Sequence, residues 1–464
     1  MTAARRSRKA KSEPQPGRFK VAVIGGGAAG LSAGYELSKA GAEVAVFERA
    51  GRLGGLASSF EFEGGALERY YHFLCLADYA YFALLEELGL KHKLHWRLTR
   101  MGQFYNGRLY SLGAPWDVLT FNPLSLFDRL RFGFAVLATK REPPHAWRDI
   151  EDQTVEEWLL GRFGRPTYEA LHKPLVELKF GDRAKDLSAA WMWARINRLG
   201  KSRTRFLQLE KLGYLEGGTE TLFAELAARI LAHGGQVHTG APIDEVRVEE
   251  GRATAVVCRG KAEKFDAVLS TIPTPYLPDL VKGPYAERLA GLRRIESIGV
   301  VCVLLRLKRQ FSPYFWTNVS DPRFGIAGII EYTNLNRERC PNGDSLVYIP
   351  QYLPSDSPRY MMEDQKLLDE YVGYLALLQK GCDKSEVRES WVFRDRYAQP
   401  ICRVGFTAEM AGIASPIDGL YLTDSHQLFP DDRTIGNSIG LGKKAARLIA
   451  RQQAVERERT GAPA

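Results

Sequence analysis

Residues 21–48 constrain the fold more tightly than any other stretch: Val-Ala-Val-Ile-Gly-Gly-Gly-Ala-Ala-Gly-Leu-Ser-Ala-Gly-Tyr-Glu-Leu-Ser-Lys-Ala-Gly-Ala-Glu-Val-Ala-Val-Phe-Glu. This reads as an apolar strand, a glycine turn, an amphipathic helix beginning near Ala28 and a second strand that ends in an acid. Each part has a physical job in holding a dinucleotide. Gly25 permits the tight turn, Gly27 lets the backbone approach a pyrophosphate, and Gly30 lets the helix pack closely on the sheet. Phosphates would then meet the free N–H groups of Ala28 and Ala29 at the positive end of the helix. Glu48 lies 21 residues after Gly27, where a carboxylate can accept from both hydroxyls of an adenosine ribose and would repel a 2′-phosphate. NADP is therefore disfavoured, while NAD and FAD are not separated by this pattern alone.

The next residues separate them. Arg49-Ala50-Gly51-Arg52-Leu53-Gly54-Gly55-Leu56 follows at once. Here the chain resembles the flavoprotein superfamily of amine oxidases, protoporphyrinogen oxidases, phytoene desaturases and UDP-galactopyranose mutases, in which an Arg-x-Gly-Gly element follows the ribose acid. The resemblance implies non-covalent FAD, with Arg49, Arg52, Gly54, Gly55 and Leu56 bordering its pyrophosphate and ribityl chain. Most members carry Arg where this chain has Leu56. The resemblance also implies an α/β fold: a Rossmann-like FAD-binding domain built from three discontinuous segments, an inserted α+β substrate domain and a helical subdomain.

Composition fits a large multidomain chain. There are 464 residues, 45% apolar, enough for two or three domains. Net charge is +9, but residues 1–18 hold six basic side chains against Glu13, or +5, leaving +4 for the rest. That tail is expected to be a disordered, solvated segment, with no nucleic-acid partner, and Arg5-Arg6 lacks the flanks of a twin-arginine signal. Six cysteines without close-spaced pairs argue against disulfides or zinc and fit a reducing cytosol. No metal-ligand spacing is found among the eight histidines, and no uncharged apolar run reaches the roughly 18 residues of a spanning helix.

Along the chain, the tail covers 1–17, and FAD-binding parts are expected at 18–100, 206–275 and 396–464. A helical substrate subdomain is expected at 101–205 and the rest of the substrate domain at 276–395. A hairpin is predicted around Asn106-Gly107, and Thr154-Val155-Glu156-Glu157 opens a helix as a capping box. Residues 116–138, rich in Trp, Phe and Leu with Arg129 and Arg131, read either as an interfacial membrane element admitting a lipophilic substrate or as a buried helix pair with snorkelling arginines. Peripheral contact with the inner face of a membrane is thus one expectation. Asp266-Ala267-Val268-Leu269-Ser270-Thr271-Ile272-Pro273 reads as a buried strand, and by the resemblance the backbone of Ile243 holds the adenine.

The third FAD segment is Gly419-Leu420-Tyr421-Leu422-Thr423-Asp424, a buried strand ending in an acid, followed by Arg433-Thr434-Ile435-Gly436-Asn437-Ser438-Ile439 and a helix ending near Gln452. By resemblance Asp424 binds a ribityl hydroxyl, although Thr423 replaces the usual Gly. The Asn437, Ser438 and Ile439 backbone then directs a helix dipole at the flavin pyrimidine edge, which favours the anionic reduced ring. Asp431 and Asp432 read as a solvated turn. In relatives, the segment Tyr70-Tyr71-His72 runs beside the flavin ring. His72 and Tyr71 are the candidate catalytic residues, His72 for acid–base work. No lysine lies between Ser297 and Leu307, where amine oxidases of the superfamily place one and this chain has Val301. That favours hydride transfer from a substrate C–H, as in porphyrinogen oxidation or desaturation, over amine oxidation. The alternative is a redox-neutral sugar-nucleotide mutase, with Arg195, Arg198, Arg203 and Arg205 gripping a diphosphate unless they form a solvated basic face. A prenyl-carrier protein of this fold is disfavoured by the intact glycine turn, Glu48 and Asp424.

Overall fold

The structure, a computed structural model, describes residues 19–201, 209–321 and 323–460. The basic tail, Arg203 and Arg205 lie outside the described residues. Two sheets organise the molecule. The first has five parallel strands in the order Gln236–His238, Glu43–Phe47, Lys20–Ile24, Ala267–Ser270 and Leu420–Leu422. Its strands read Val-Ala-Val-Ile, Val-Ala-Val-Phe and Ala-Val-Leu-Ser because both faces are covered, the condition under which parallel strands lose polar alternation. The helices Ala28–Lys39, Thr219–Ala232 and Ile435–Thr460 pack together on one face of it. The last of these runs two turns beyond the expected end near Gln452. Gln453 is buried there, and Glu456 accepts from Arg252 at 2.8 Å, so the polar tail of the helix is still anchored.

The second sheet is mixed and seven-stranded, in the order Val387–Pro400, Ser297–Leu307, Ser345–Leu353, Gly328–Glu331, Trp316–Val319, Met101–Tyr105 and Arg108–Ser111. Ser297–Leu307 is buried at every residue but the first. The predicted hairpin turns on Asn106 and Gly107, with φ of 47° and 75°, and extends the edge of this sheet through a parallel pairing of Met101–Tyr105 with Trp316–Val319. Arg306, on the strand Ser297–Leu307, gathers a partly buried charge cluster. Its guanidinium donates to Asp344 at 2.7 Å, Glu389 at 2.9 Å and Glu63 at 2.5 Å. Glu63 sits in the turn of the hairpin Ser59–Phe62 and Gly65–Glu68, so the cluster fastens that hairpin to the second sheet.

Helices fill much of 115–201. Thr154 opens Val155–Phe163 with the predicted reciprocal box: its hydroxyl accepts from Glu157 N–H at 3.2 Å, and Glu157 accepts from Thr154 N–H at 2.9 Å. Leu126–Arg141 packs on Ala189–Lys201 yet leaves a stripe in solvent: Phe127 is 72% exposed and Phe134 69%, with Leu130 between them. Trp116 and Leu119 are exposed nearby. This overturns the buried helix pair with snorkelling arginines. Arg131 is occupied with the carbonyls of Leu160, Gly161 and Arg162 at the end of the neighbouring helix, and Arg129 with those of Ser125 and Leu119. Among the described residues no helix is long and apolar enough to cross a membrane, all six cysteines are free thiols, and no acidic, His or Cys group is placed to hold a metal ion.

Candidate functional site

The carboxyl ends of the parallel strands open onto a cleft of about 760 Å³, within the range of about 300–1,000 Å³ typical of ligand sites. Gly25 makes the turn with φ of 111°. Gly27 caps the helix Ala28–Lys39 with no side-chain hydrogen bond, so Ala28 and Ala29 face the cleft from the positive end of the helix. Gly30 lies just behind: a Cβ there would stand 2.0 Å from the Gly25 carbonyl oxygen. Glu48, buried, accepts from Gly26 N–H and Ala50 N–H, both at 2.8 Å. One lone pair on each oxygen is left toward the cleft. Gly54 N–H donates to the Gly26 carbonyl at 2.8 Å, which joins the second glycine element to the first. Arg49, Arg52, Gly55, Leu56 and Ile243 complete this wall, with Tyr276 opposite and the Arg49 guanidinium 5.7 Å from its ring.

At the far wall stands Asp424. Its oxygens accept from Thr274 N–H at 2.8 Å, the Thr274 hydroxyl at 2.7 Å, Ser425 N–H and the Ser425 hydroxyl at 3.1 Å. Four acceptor sites are thereby filled. Burial alone would raise its pKa, but His426 and the two Thr274 donors hold the carboxyl below its ordinary range. The helix that follows begins at Ile435, two residues before the expected contact. Asn437 N–H is bound by the Thr434 hydroxyl at 3.0 Å and Ser438 N–H by the Thr434 carbonyl at 3.0 Å. Ile439 is fully buried in the core, its carbonyl accepting from Ser32. Of the three expected residues only Ser438 lines the cleft, and the helix end presents Ile435 instead. The Thr434 cap sets this start of the helix.

His72, Leu56, Arg433 and Ile435 border both this cleft and a smaller inner chamber of about 140 Å³. Tyr70 and Tyr71 line the chamber. Tyr71 meets the edge of Trp316 at 5.2 Å, and its hydroxyl lies 3.4 Å from that of Tyr352. Burial, then Tyr352, pushes its pKa well up, so the phenol keeps its proton. His72 Nδ1 lies 2.9 Å from the Tyr70 carbonyl, an arrangement that assigns the proton to Nδ1 and leaves Nε2 as acceptor. Burial lowers the His72 pKa to about 4; the Tyr70 contact opposes this and Arg433 adds to it. Burial thus favours the neutral imidazole, with Nε2 as the acceptor. An NMR titration is expected to leave the His72 ring resonances unmoved between about pH 5.5 and 8, where an ordinary imidazole would titrate near 6.5; a midpoint near 6.5 would refute this.

The chamber also corrects the reading of the aspartates and arginines. Asp432 is no solvated turn residue: it accepts from Arg195 at 2.9 Å. Burial would raise it, yet Arg195, Lys179, Arg433 and Arg198 hold its carboxyl well below the usual range. Arg195 and Arg198 are not a solvated basic face. Arg198 pairs with Asp78 at 3.1 Å, and both arginines line the chamber. Lys179 and Arg433 were not anticipated as site residues. Lys179 lies deep in the molecule but open to the chamber, 4.3 Å from the Tyr352 ring. Burial first, then Arg195 and Arg433, lower its pKa well below that of an ordinary lysine, with Asp432 opposing. Nothing local marks it in sequence, because its partners come from 191–198, 352 and 432–433.

The fold and cleft define a class, an α/β protein with a dinucleotide-type cleft on a parallel sheet and a second, smaller chamber beside it. A family model for flavin-containing amine oxidoreductases matches residues 28–450, and the chain belongs to that family. It is 26% identical to the 15-cis-phytoene desaturase of Synechococcus elongatus over 319 residues, 61% of this chain and 65% of the relative; the match thus spans just under two thirds of that relative's length. Among solved structures it resembles an Exiguobacterium sp. 255-15 protein assigned as a protoporphyrinogen oxidase, with TM-score 0.72, 19% identity and coverage of 94% and 100% of the two chains. A reduced UDP-galactopyranose mutase gives 0.69, 16%, 94% and 96%. At these identities the likeness is one of fold.

Proposed function

We propose that this chain is an FAD-dependent oxidoreductase that dehydrogenates a substrate C–H bond in the manner of the desaturases and porphyrinogen oxidases it resembles. The observation that carries this reading is the cleft itself: an uncapped helix start behind a glycine turn, the Glu48 carboxylate and the 54–55 glycine pair converge on one wall, and Asp424 stands opposite. These residues suit FAD. The N–H groups of Ala28 and Ala29 would take the pyrophosphate, Glu48 the ribose hydroxyls, Ile243 the adenine, and Arg52, Gly54 and Gly55 the ribityl side. A ribityl hydroxyl would reach Asp424 by displacing the Ser425 or Thr274 hydroxyl. Bound there, FAD supplies a hydride acceptor at N5. His72 Nε2 and the Tyr71 hydroxyl orient the substrate at the junction of cleft and chamber. On this reading 18–100, 206–275 and 396–464 form the cofactor half, and 101–205 with 276–395 the substrate half. Attachment is non-covalent, since Cys402 is buried against the Pro400 carbonyl with its thiol pKa pushed up by burial.

Purified protein is expected to be yellow, and a C–H substrate is expected to bleach it anaerobically. Colourless protein that takes up no added FAD would sink the proposal. Arg195 and Arg198 in the inner chamber favour one second reading, the redox-neutral mutase; activity only after dithionite reduction, and on a nucleotide sugar, would establish it.

The exposed stripe of Leu126–Arg141 supports peripheral contact with a lipid surface. Phe127 and Phe134 stand about two helical turns apart on one side of the helix, with Leu130 between, and burying each ring is worth about 1.5–3 kcal/mol. Sedimentation with phosphatidylglycerol vesicles is expected to carry down the wild type, and F127E/F134E to bind at least about tenfold more weakly. Equal sedimentation of the two would show that the stripe serves something else.

A further inference from the structure

We propose that the inner chamber selects substrates bearing an oxyanion head, a phosphate or a carboxylate, and that Lys179 and Arg433, with Arg195 beside them, read that head. The inference rests on the reading that the larger cleft holds the cofactor and the chamber the substrate.

Four basic side chains, Lys179, Arg195, Arg198 and Arg433, line a chamber that contains two carboxylates, Asp78 and Asp432. Both acids are committed. Asp78 accepts from Arg198 and from Cys75 N–H at 2.7 Å, and Asp432 accepts from Arg195. Among the described residues Lys179 and Arg433 have no ion-pair partner, and the buried Arg433 Nε has no hydrogen-bond acceptor. The Arg433 guanidinium is satisfied only in part, by donation to the Tyr352 hydroxyl at 2.8 Å.

The cations are also crowded. Lys179 and Arg433 share the Tyr352 ring, at 4.3 and 5.6 Å from its centroid, and Lys179 and Arg195 share Trp191, at 5.5 and 5.1 Å. Aromatic faces offset part of the cost of burying positive charge, but like charges drawn together out of water are unfavourable unless an anion joins them. A chamber of this kind repels the ammonium of an amine substrate, and a plain hydrocarbon leaves its donors unpaid for. An oxyanion satisfies the Arg433 donors and neutralises the excess. Arg195 and Arg198 project from Ala189–Lys201, the helix against which the solvent-exposed apolar stripe of Leu126–Arg141 is mounted. An amphiphile with an acidic head suits both surfaces.

The test is a titration of FAD-saturated protein, in which the cofactor blocks the glycine turn, with inorganic pyrophosphate, malonate and putrescine, followed by tryptophan fluorescence and calorimetry. One oxyanion is expected to bind once per chain, the tighter of the two identifying phosphate or carboxylate, and putrescine is expected not to bind. K179M and R433Q should each weaken the oxyanion by about tenfold or more, and K179R, which keeps the charge, by much less. Each change takes a neighbouring charge from Asp432 but leaves its ion pair with Arg195, and Asp78 keeps Arg198; circular dichroism with FAD content confirms the fold of each, and should one variant fail to fold, the other decides. Failure of both oxyanions to bind, preference for putrescine, or wild-type affinity in the folded variants would overturn the proposal. If the protein takes up no FAD, the flavin reading fails separately, and comparison of K179M with wild type still reports on the chamber.

Discussion

A Gly30→Val protein is expected to lose FAD, with affinity down more than about a hundredfold, or to accumulate unfolded. The alanine variant is expected to follow the same course more mildly. Even a single methyl group at this position would lie 2.0 Å from the Gly25 carbonyl oxygen and 2.8 Å from the Thr271 hydroxyl, and the first of these is backbone that cannot swing aside. The clash is relieved only by sliding the start of the helix away from the turn. That displaces the N–H groups of Ala28 and Ala29 from the place where a pyrophosphate would meet them, and each hydrogen bond to a charged group is worth about 1.5–3 kcal/mol. Gly51, with open space around it, supplies the control: G51A should retain flavin. Measuring FAD per chain, with far-ultraviolet circular dichroism for folding, decides the matter, and a G30V protein with full flavin content would refute it.

The second large effect concerns stability. Arg306→Met is expected to cost about 1.5–3 kcal/mol, the loss of a hydrogen bond to a charged acceptor, with Arg388 still paired to Asp344. Most of it arises at Asp344, whose side chain is 1% exposed, because Glu63 and Glu389 are half in water and lose little. Burial alone would raise the Asp344 pKa, but hydrogen bonds from Arg306, Asn342 and Arg388 win and hold it below its ordinary value. A carboxyl depressed in the folded state contributes stability above its unfolded pKa of about 3.9 and loses it as pH falls through the folded one. The gap between wild type and R306M in urea melts should therefore be widest near neutral pH and narrow progressively once the pH falls below the unfolded value of about 3.9. A gap that is constant with pH would mean that lost packing over Phe62, 5.4 Å away, accounts for the change.

What the chain discloses in sequence is whatever is local. Strand, turn, helix and ribose acid at 21–48 lie within one supersecondary unit, and the Thr154–Glu157 box and the Asn106-Gly107 turn are complete within four residues, so pattern alone locates them. The end of Ile435–Thr460 was not legible, because Gln453 and Glu456 are held by distant partners. The same holds for the chamber. Asp432 in isolation is a polar residue in a Pro-Asp-Asp-Arg turn, and only the arrival of Arg195, 237 positions away, makes it half of a partly buried ion pair. Lys179 belongs to an unremarkable amphipathic helix until Tyr352 and Trp191 close around it.

The order of the parallel sheet sets a timetable for making the protein. The strand Lys20–Ile24 pairs on one side with Glu43–Phe47, which follows it closely, but on the other with Ala267–Ser270, which itself waits for Leu420–Leu422. On the ribosome the glycine turn therefore emerges well before the strand that covers its other edge, and until then one edge of its strand is unpaired. Contacts of such sequence separation form late and slowly. The far wall of the cleft, with Asp424, is delivered later still, and a ligand spanning both walls would act as the clasp that ends this exposed period.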